Sequence, residues 1–310
     1  MQDHTSPPFQ RSIVALLAIH NRAELTRRCL TALRAAAEVA RAEISIVVVD
    51  DGSTDSTPQM LAECLDPRTD RRITGSGSLY WAGAMRMAMA SASDLITHSD
   101  HVLLLNNDVR LYTAGLISLL ERDPRREKVV VGTLCDPVTG AQTYGGHRRK
   151  NRFRPLTFEM LSQSAGAKVD AMNANAVLVG LSAWRRIGAF DALYVHQFAD
   201  YDYALRANRL GVEVELGSAM VGTCVWDHPW PPAYEDPDLS VGDRLRALRD
   251  PKGLPPRQWR HYVLTHGGLL APRYIFGPYL RALLGIPYRP QLSACGSRSR
   301  STDAGYSQSL

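Results

Sequence analysis

Short, nearly all-apolar runs punctuate this chain, and between them apolar residues recur every three or four positions. Residues 12–18 (SIVALLA), 44–49 (ISIVVV) and 101–105 (HVLLL) are apolar enough to be strands buried on both faces, with a weaker candidate at 72–74. Residues 23–42 are rich in Ala, Leu and Arg and lack Gly and Pro, so they predict a helix. A Ser/Thr/Pro cluster opens a second helix over 58–65, and a third is expected over 83–93. This alternation, sustained to about residue 121, predicts an α/β fold with a mostly parallel sheet flanked by helices.

Further on the pattern loosens. Strands are expected at 129–134, 174–181, 212–216 and 220–226, and a helix at 200–210, with a polar, basic stretch (GGHRRKNRFRP) after the first of these strands. Proline becomes frequent from residue 229, which marks a boundary. The expected organisation is a disordered start (1–11), a main α/β unit (12–230, halves about 12–121 and 122–230), a basic helical extension (231–292) and a disordered tail (293–310). No internal repeat is visible.

Parallel sheets take their ligands beyond the carboxyl ends of the strands. Two predicted strands end there in acidic residues. The run at 44–49 drops into Asp50 and Asp51 (VVVDDGSTDST), and HVLLL drops into Asn106, Asn107 and Asp108. Carboxylates at that rim suit recognition of a base or ribose. They also suit a metal held with a diphosphate, since such ions need only one or two protein carboxylates. Asn106 and Asn107 have the groups to bind sugar or phosphate oxygens, and each triplet taken alone also suits a turn.

In order and spacing these segments resemble an inverting family 2 glycosyltransferase of the GT-A fold, a Rossmann-like sheet, over roughly residues 12–228. The first strand exits through LLAIHNR, where the resemblance puts Ala18, His20 and Arg22 at the nucleotide. VVVDDGSTDST is similar to the family's acidic nucleotide turn, implying that Asp51 and Asp50 contact uracil or ribose. GSGSLYWAGAMRMAM resembles the segment lining the donor site, which brings in Trp81 and Gly83. LNNDV stands at the family's metal-binding DXD-like position, with Asp108 as its acid. FADYDYALRANRLG is similar to the segment with the catalytic base, which assigns that role to Asp200; Ala199 stands where many members have Glu.

Asp200 and Asp202 separate on physical grounds. Two residues apart on one helix, they face different ways. Asp202 precedes Arg206 by four and suits an ion pair along the helix. An N-cap position for Asp200 would place it at the positive end of the helix dipole and favour the ionised form that a base requires. His228 follows an apolar strand and suits a third metal or phosphate ligand, or a loop position between Trp226 and Trp230. Trp81, Trp226 and Trp230 suit either a carbohydrate-stacking surface or buried packing.

The resemblance implies a single displacement assisted by Mn2+ or Mg2+. The donor would be a UDP- or dTDP-sugar and the acceptor a hydroxyl of a glycan or polyprenyl-linked molecule. Rhamnosyl- or galactofuranosyl-type transfer in bacterial surface polysaccharide synthesis is the expected setting, with no nucleic acid partner. A catalytically degenerate nucleotide-sugar-binding protein is the alternative outside enzymes. A nucleotidyltransferase would carry a Gly-rich basic loop in place of AIHNRAEL, and a dinucleotide dehydrogenase a GxGxxG after a strand; neither is present.

Charge adds one further element. The net charge is +5, yet residues 244–310 hold eleven Arg/Lys against two Asp/Glu while the rest is mildly acidic. That asymmetry points either to an anionic surface as partner, phospholipid or nucleic acid, or to a solvated basic tail. The segment RQWRHYVLTHGGLLAPRYIFGPYLRALLGIPYR mixes aromatics, leucines and arginines, and either lies on such a membrane or packs as helix on the main unit, interrupted by its Gly and Pro. The five cysteines are scattered without a CxxC pair, which argues against disulfides or structural zinc. With no signal core and no long apolar run, a cytoplasmic location is expected, either free or as a peripheral protein of the inner membrane face.

Overall fold

The protein is described by a computed structural model covering residues 11–151, 153–226 and 232–286. In chain order the elements are β1 (Arg11–Ile19), α1 (Ala23–Val39), β2 (Ala42–Asp50), α2 (Thr57–Cys64), β3 (Arg71–Thr74), α3 (Tyr80–Ser91), α4 (Ser93–Thr97), β4 (His101–Leu105), β5 (Arg110–Leu111) and α5 (Gly115–Leu120). Then follow β6 (Val129–Cys135), β7 (Gln142–Tyr144), β8 (Gly146–Arg149), β9 (Phe158–Met160), β10 (Ala171–Met172), β11 (Ala176–Gly180), α6 (Leu181–Ile187), α7 (Ala199–Arg209) and β12 (Val214–Thr223). The extension is helical: α8 (Val241–Arg249), α9 (Pro256–His266) and α10 (Ala271–Leu284).

The main sheet has nine strands in the order β3-β2-β1-β4-β11-β6-β12-β5, with β7 on β6. The four strands of the first half run parallel. β11 enters antiparallel between β4 and β6, and β12 runs parallel to β6. The result is the expected α/β fold, a mostly parallel Rossmann-like sheet with antiparallel strands in its second half. Alternate residues of the strands feed two cores, one on each face. Val14, Leu16, Val47, Val49, Val102 and Leu104 pack beneath α3, α6 and α7. Ile13, Leu17, Ile46, Val48 and Leu103 pack beneath α1, α2 and α5. That two-sided burial is why these strands read as unbroken apolar runs.

Two expectations change. The segments 212–216 and 220–226 form one strand, β12, whose register on β6 shifts between Leu216 and Met220 and again before Gly222. Gly217 and Ser218 sit in that irregular stretch and look like a break in sequence, but the strand passes through them. The basic stretch between 134 and 171 is not a plain loop either: β8 lies within it and joins β9 and β10 in a small antiparallel sheet.

The extension folds onto α7. Tyr262 joins the core, and the rings of Phe198 and Tyr262 lie 5.0 Å apart, those of Phe198 and Trp259 5.4 Å. The break between α9 and α10 falls at Gly267 and Gly268, the latter with φ of 55°. Pro278 stays inside α10. It has no N–H to offer the Tyr274 carbonyl one turn earlier, and the Trp259 indole N–H takes that acceptor at 2.9 Å. His228 and Trp230 lie outside the described residues, as do 1–10 and 287–310, on which most of the two disordered termini were expected.

Candidate active site

Because β1, β2 and β4 are parallel, their carboxyl ends share one edge, and the predicted residues meet there. Ile19 pairs with Asp50 in register, so His20 and Asp51 leave the sheet side by side. The His20 ring donates from Nδ1 to the Asp51 carbonyl at 2.7 Å, and its Nε2 accepts from the Asn21 amide at 3.2 Å. Asn21 also receives the Thr54 N–H, tying the β1 exit to the acidic turn. Ala18 is half-buried at the end of β1.

Both acids of the DD pair are buried and turned into the protein. Asp50 accepts from Arg72 at 3.0 Å and from the Ser53 N–H. Asp51 gathers three backbone donors, Gly77, Leu79 and Tyr80, at 2.7–3.1 Å. It therefore fixes the whole β3–α3 loop against the end of β2. Gly83, in the first turn of α3, is buried and packs on Leu79.

The second acidic end divides three ways. Asn106 accepts from the Trp81 indole at 2.8 Å, which joins the two predicted sugar-site residues. Asn107 turns under the sheet and donates to Thr26 of α1, buried. Asp108 faces the rim, with Oδ2 3.1 Å from the Arg22 guanidinium and the Cys224 thiol 3.6 Å from Oδ1. A hard carboxylate oxygen at a strand end fits a divalent cation that takes its remaining ligands from phosphates and water. Among the described residues no cluster of three His, Cys, Asp or Glu side chains forms a complete metal cage.

Asp200 reaches the same edge from the other half. Ala176 pairs with Leu105 across β11 and β4, and the Asn106 N–H donates to the Asn175 carbonyl. The next N–H back, that of Ala174, points at Asp200 Oδ2 at 3.4 Å. Asp200 is thus held two residues before the start of β11, next to the turn that carries Asp108. It is not the N-cap: Phe198 takes that position with φ of 72°, and Asp200 lies within the first turn of α7. The expected bias toward the ionised form is overturned as well. Burial pushes the carboxyl up to about 6, against the opposing pull of the Tyr201 and Ala174 N–H groups. Removing its water outweighs the dipole, worth about 1 kcal/mol at such sites.

Asp202 points the other way, as its spacing required. It pairs with Arg206 at 2.7 Å and, unexpectedly, with His266 of α9 at 2.8 Å, fully buried. Trp226 stacks on Tyr144, with ring centroids 5.2 Å apart. Sequence reasoning missed Arg72, Asn175 and Cys224. Only the short NAN before the β11 run marked Asn175, and nothing local marked the others. Of six non-glycine residues with positive φ among the described residues, Asn21, Arg22, Tyr80 and Phe198 lie at this rim. Backbone strain of this kind gathers where geometry serves a ligand.

The fold and the carboxylate-lined rim define a GT-A sheet. Residues 15–185 match the profile described as glycosyl transferase family 2, and the chain belongs to that family. It is accordingly a glycosyltransferase by family. Among solved structures it is similar to the mannosyltransferase PcManGT from Pyrobaculum calidifontis, in complex with GDP-Man and Mn2+ (TM-score 0.51, 18% identity, 90% of this chain and 75% of that one). It is also similar to S. aureus TarS (0.51, 13%, 89% of this chain and 44% of TarS), and to TarS residues 1–349 in complex with UDP (0.50, 13%, 87% and 71%). These likenesses concern the fold. No curated protein matches in sequence. Among the described residues no helix is long and apolar enough to cross a membrane.

Proposed function

We propose that this family member is an inverting, metal-assisted transferase that moves a sugar from a UDP- or dTDP-sugar to a hydroxyl of a glycan or lipid-linked acceptor. The single observation that carries the reading is the convergence of Asp108 and Asp200 on one edge, joined through Asn106, Asn175 and Ala174. Asp108 would hold the cation, with His228 a further candidate ligand. When bound, such an ion neutralises charge on the departing nucleoside diphosphate. Solved neighbours in complex with GDP-Man and Mn2+, or with UDP, support a donor of this class.

Asp200 receives the proton of the acceptor hydroxyl as that oxygen attacks the anomeric carbon from the face opposite the leaving group. A carboxyl near 6 is ionised at neutral pH and more basic than an ordinary aspartate, which suits proton abstraction. Its two backbone N–H contacts aim it. Trp81, held by Asn106, offers an aromatic edge beside the sugar. Asp50 and Asp51 fix the walls of the nucleotide pocket through Arg72 and the β3–α3 loop, with His20 and Arg22 above them. The donor sugars that resemblance favours are rhamnose and galactofuranose, in surface polysaccharide assembly at the inner face of the membrane.

The Arg22–Asp108 ion pair also favours a second reading, a nucleotide-sugar-binding protein without turnover, because Arg22 already supplies a positive charge there. Thermal melting with UDP, dTDP, GDP and CMP, each with and without manganese, tests the binding half. A shift of about 5–10 °C at 100-fold excess over Kd is expected for one uridine or thymidine nucleotide. It should need manganese and vanish in Asp108→Ala. No shift with any nucleotide would refute both readings.

A further inference from the structure

We propose that the outer face of α10, with the turn before it, docks this protein on an anionic lipid bilayer. Along α10 the residues Ala271, Pro278 and Ala282 are buried against the rest of the extension. On the opposite side Arg273, Phe276, Leu280, Leu283 and Leu284 are exposed, spaced three and four apart as a single stripe requires. Phe276 is 70% exposed and Leu280 56%, and Leu269 in the preceding turn is fully exposed. A continuous row of large apolar side chains held out in water marks an interaction surface.

Charge selects the partner. Residues 244–286 hold eight Arg/Lys and one acid, Asp250. Arg257, Arg260 and Arg273 are exposed and pair with no carboxylate among the described residues. Apolar side chains with an arginine in their row, as Arg273 stands in this one, are the arrangement that inserts at an interface while the guanidinium meets anionic headgroups. A second copy of this chain suits the stripe less well, because a two-fold contact would bring the same basic region against itself. Residues 287–310 supply only Tyr288, Leu292, Tyr306 and Leu310 as large apolar side chains, a poor match for the row.

The docking face is also tied to the active site. α9, which leads into α10, holds Phe198 through Trp259 and Tyr262 and holds Asp202 through His266. Those contacts lie two residues to either side of Asp200. A bilayer that fixes the extension therefore fixes the helix carrying the base.

Flotation of the full chain with vesicles of equal parts phosphatidylglycerol and phosphatidylcholine tests the proposal, with pure phosphatidylcholine beside it. Wild type should float with the anionic vesicles, sink with the neutral ones and detach as salt rises. Arg273→Ala should lower partitioning about fivefold. Phe276→Asp with Leu280→Asp should abolish it while leaving the thermal midpoint and the manganese-dependent nucleotide shift unchanged, which separates this surface from the catalytic reading. Wild type that stays lipid-free, or a double variant that still floats, would overturn the proposal. So would equal flotation on neutral vesicles. A dimer by light scattering that the double variant dissolves, without vesicle binding, would assign the stripe to a second copy instead.

Discussion

At Asp200 two demands compete in one side chain. The carboxyl must be ionised to accept a proton, yet burial raises it to about 6. The acid limb of kcat/KM should therefore fall through pH about 6, well above the ordinary aspartate value of 3.8, in a pH–rate profile. Because the folded state keeps this proton more tightly than the unfolded chain, the stability linked to Asp200 is greatest below 3.8 and is lost as pH rises through 6. Asp200→Asn should lower transfer about 10²- to 10⁴-fold. It should also raise stability by up to about 3 kcal/mol above pH 6, a gain that fades in acid and is read by melts across pH. Gly52 is the other sensitive position. Its φ is 70°, and a Cβ there would sit 2.8 Å from the Gly77 Cα. Gly52→Ala should cost about 1–3 kcal/mol in denaturant melts by prising the acidic turn from the loop that Asp51 holds. Residue types at the rim were legible in sequence, but their orientations were not. Asp51 faces the amides of 77, 79 and 80, and Asn107 faces Thr26, partners far along the chain that no local pattern announces.

Among the elements, α7 is held from two sides. Its inner face packs on the sheet, and its buried Asp202 joins Arg206 to His266 of the extension. Removing that carboxylate leaves a guanidinium and an imidazole facing each other with little water. Asp202→Ala should cost about 3 kcal/mol in urea unfolding. The spacing of four to Arg206 revealed half of this arrangement, whereas His266, 64 residues on, could be found only in the fold. The strands follow the same logic. β1, β2 and β4 were legible because burial on both faces leaves their central residues, 13–19, 46–49 and 102–105, wholly apolar. β12 looked like two strands because Gly217 and Ser218 interrupt its apolar run, and β8 to β10 are two to four residues long and partly polar, below what periodicity detects.

For the whole molecule, the parallel half of the sheet brings one acid to the rim and the mixed half brings the other. The antiparallel entry of β11 beside β4 is what joins them, since it sets residues 174 and 175 against the start of the Asp108 turn. That crossing was not readable from the alternation of strands and helices, which predicts a parallel sheet and stops there. The order of motifs along the chain carried the reading across the gap. Nucleoside diphosphate release from UDP- and dTDP-sugars in manganese is the decisive assay, run on wild type beside Asp200→Asn and Asp108→Ala. Wild type should release one nucleotide, and both variants should fall by about 100-fold or more. Asp200→Asn should still give the nucleotide-dependent rise in melting temperature. Turnover by Asp200→Asn at the wild-type rate, or a wild type that binds nucleotide and releases none from any donor, would contradict the assignment of Asp200 as the base of a working transferase.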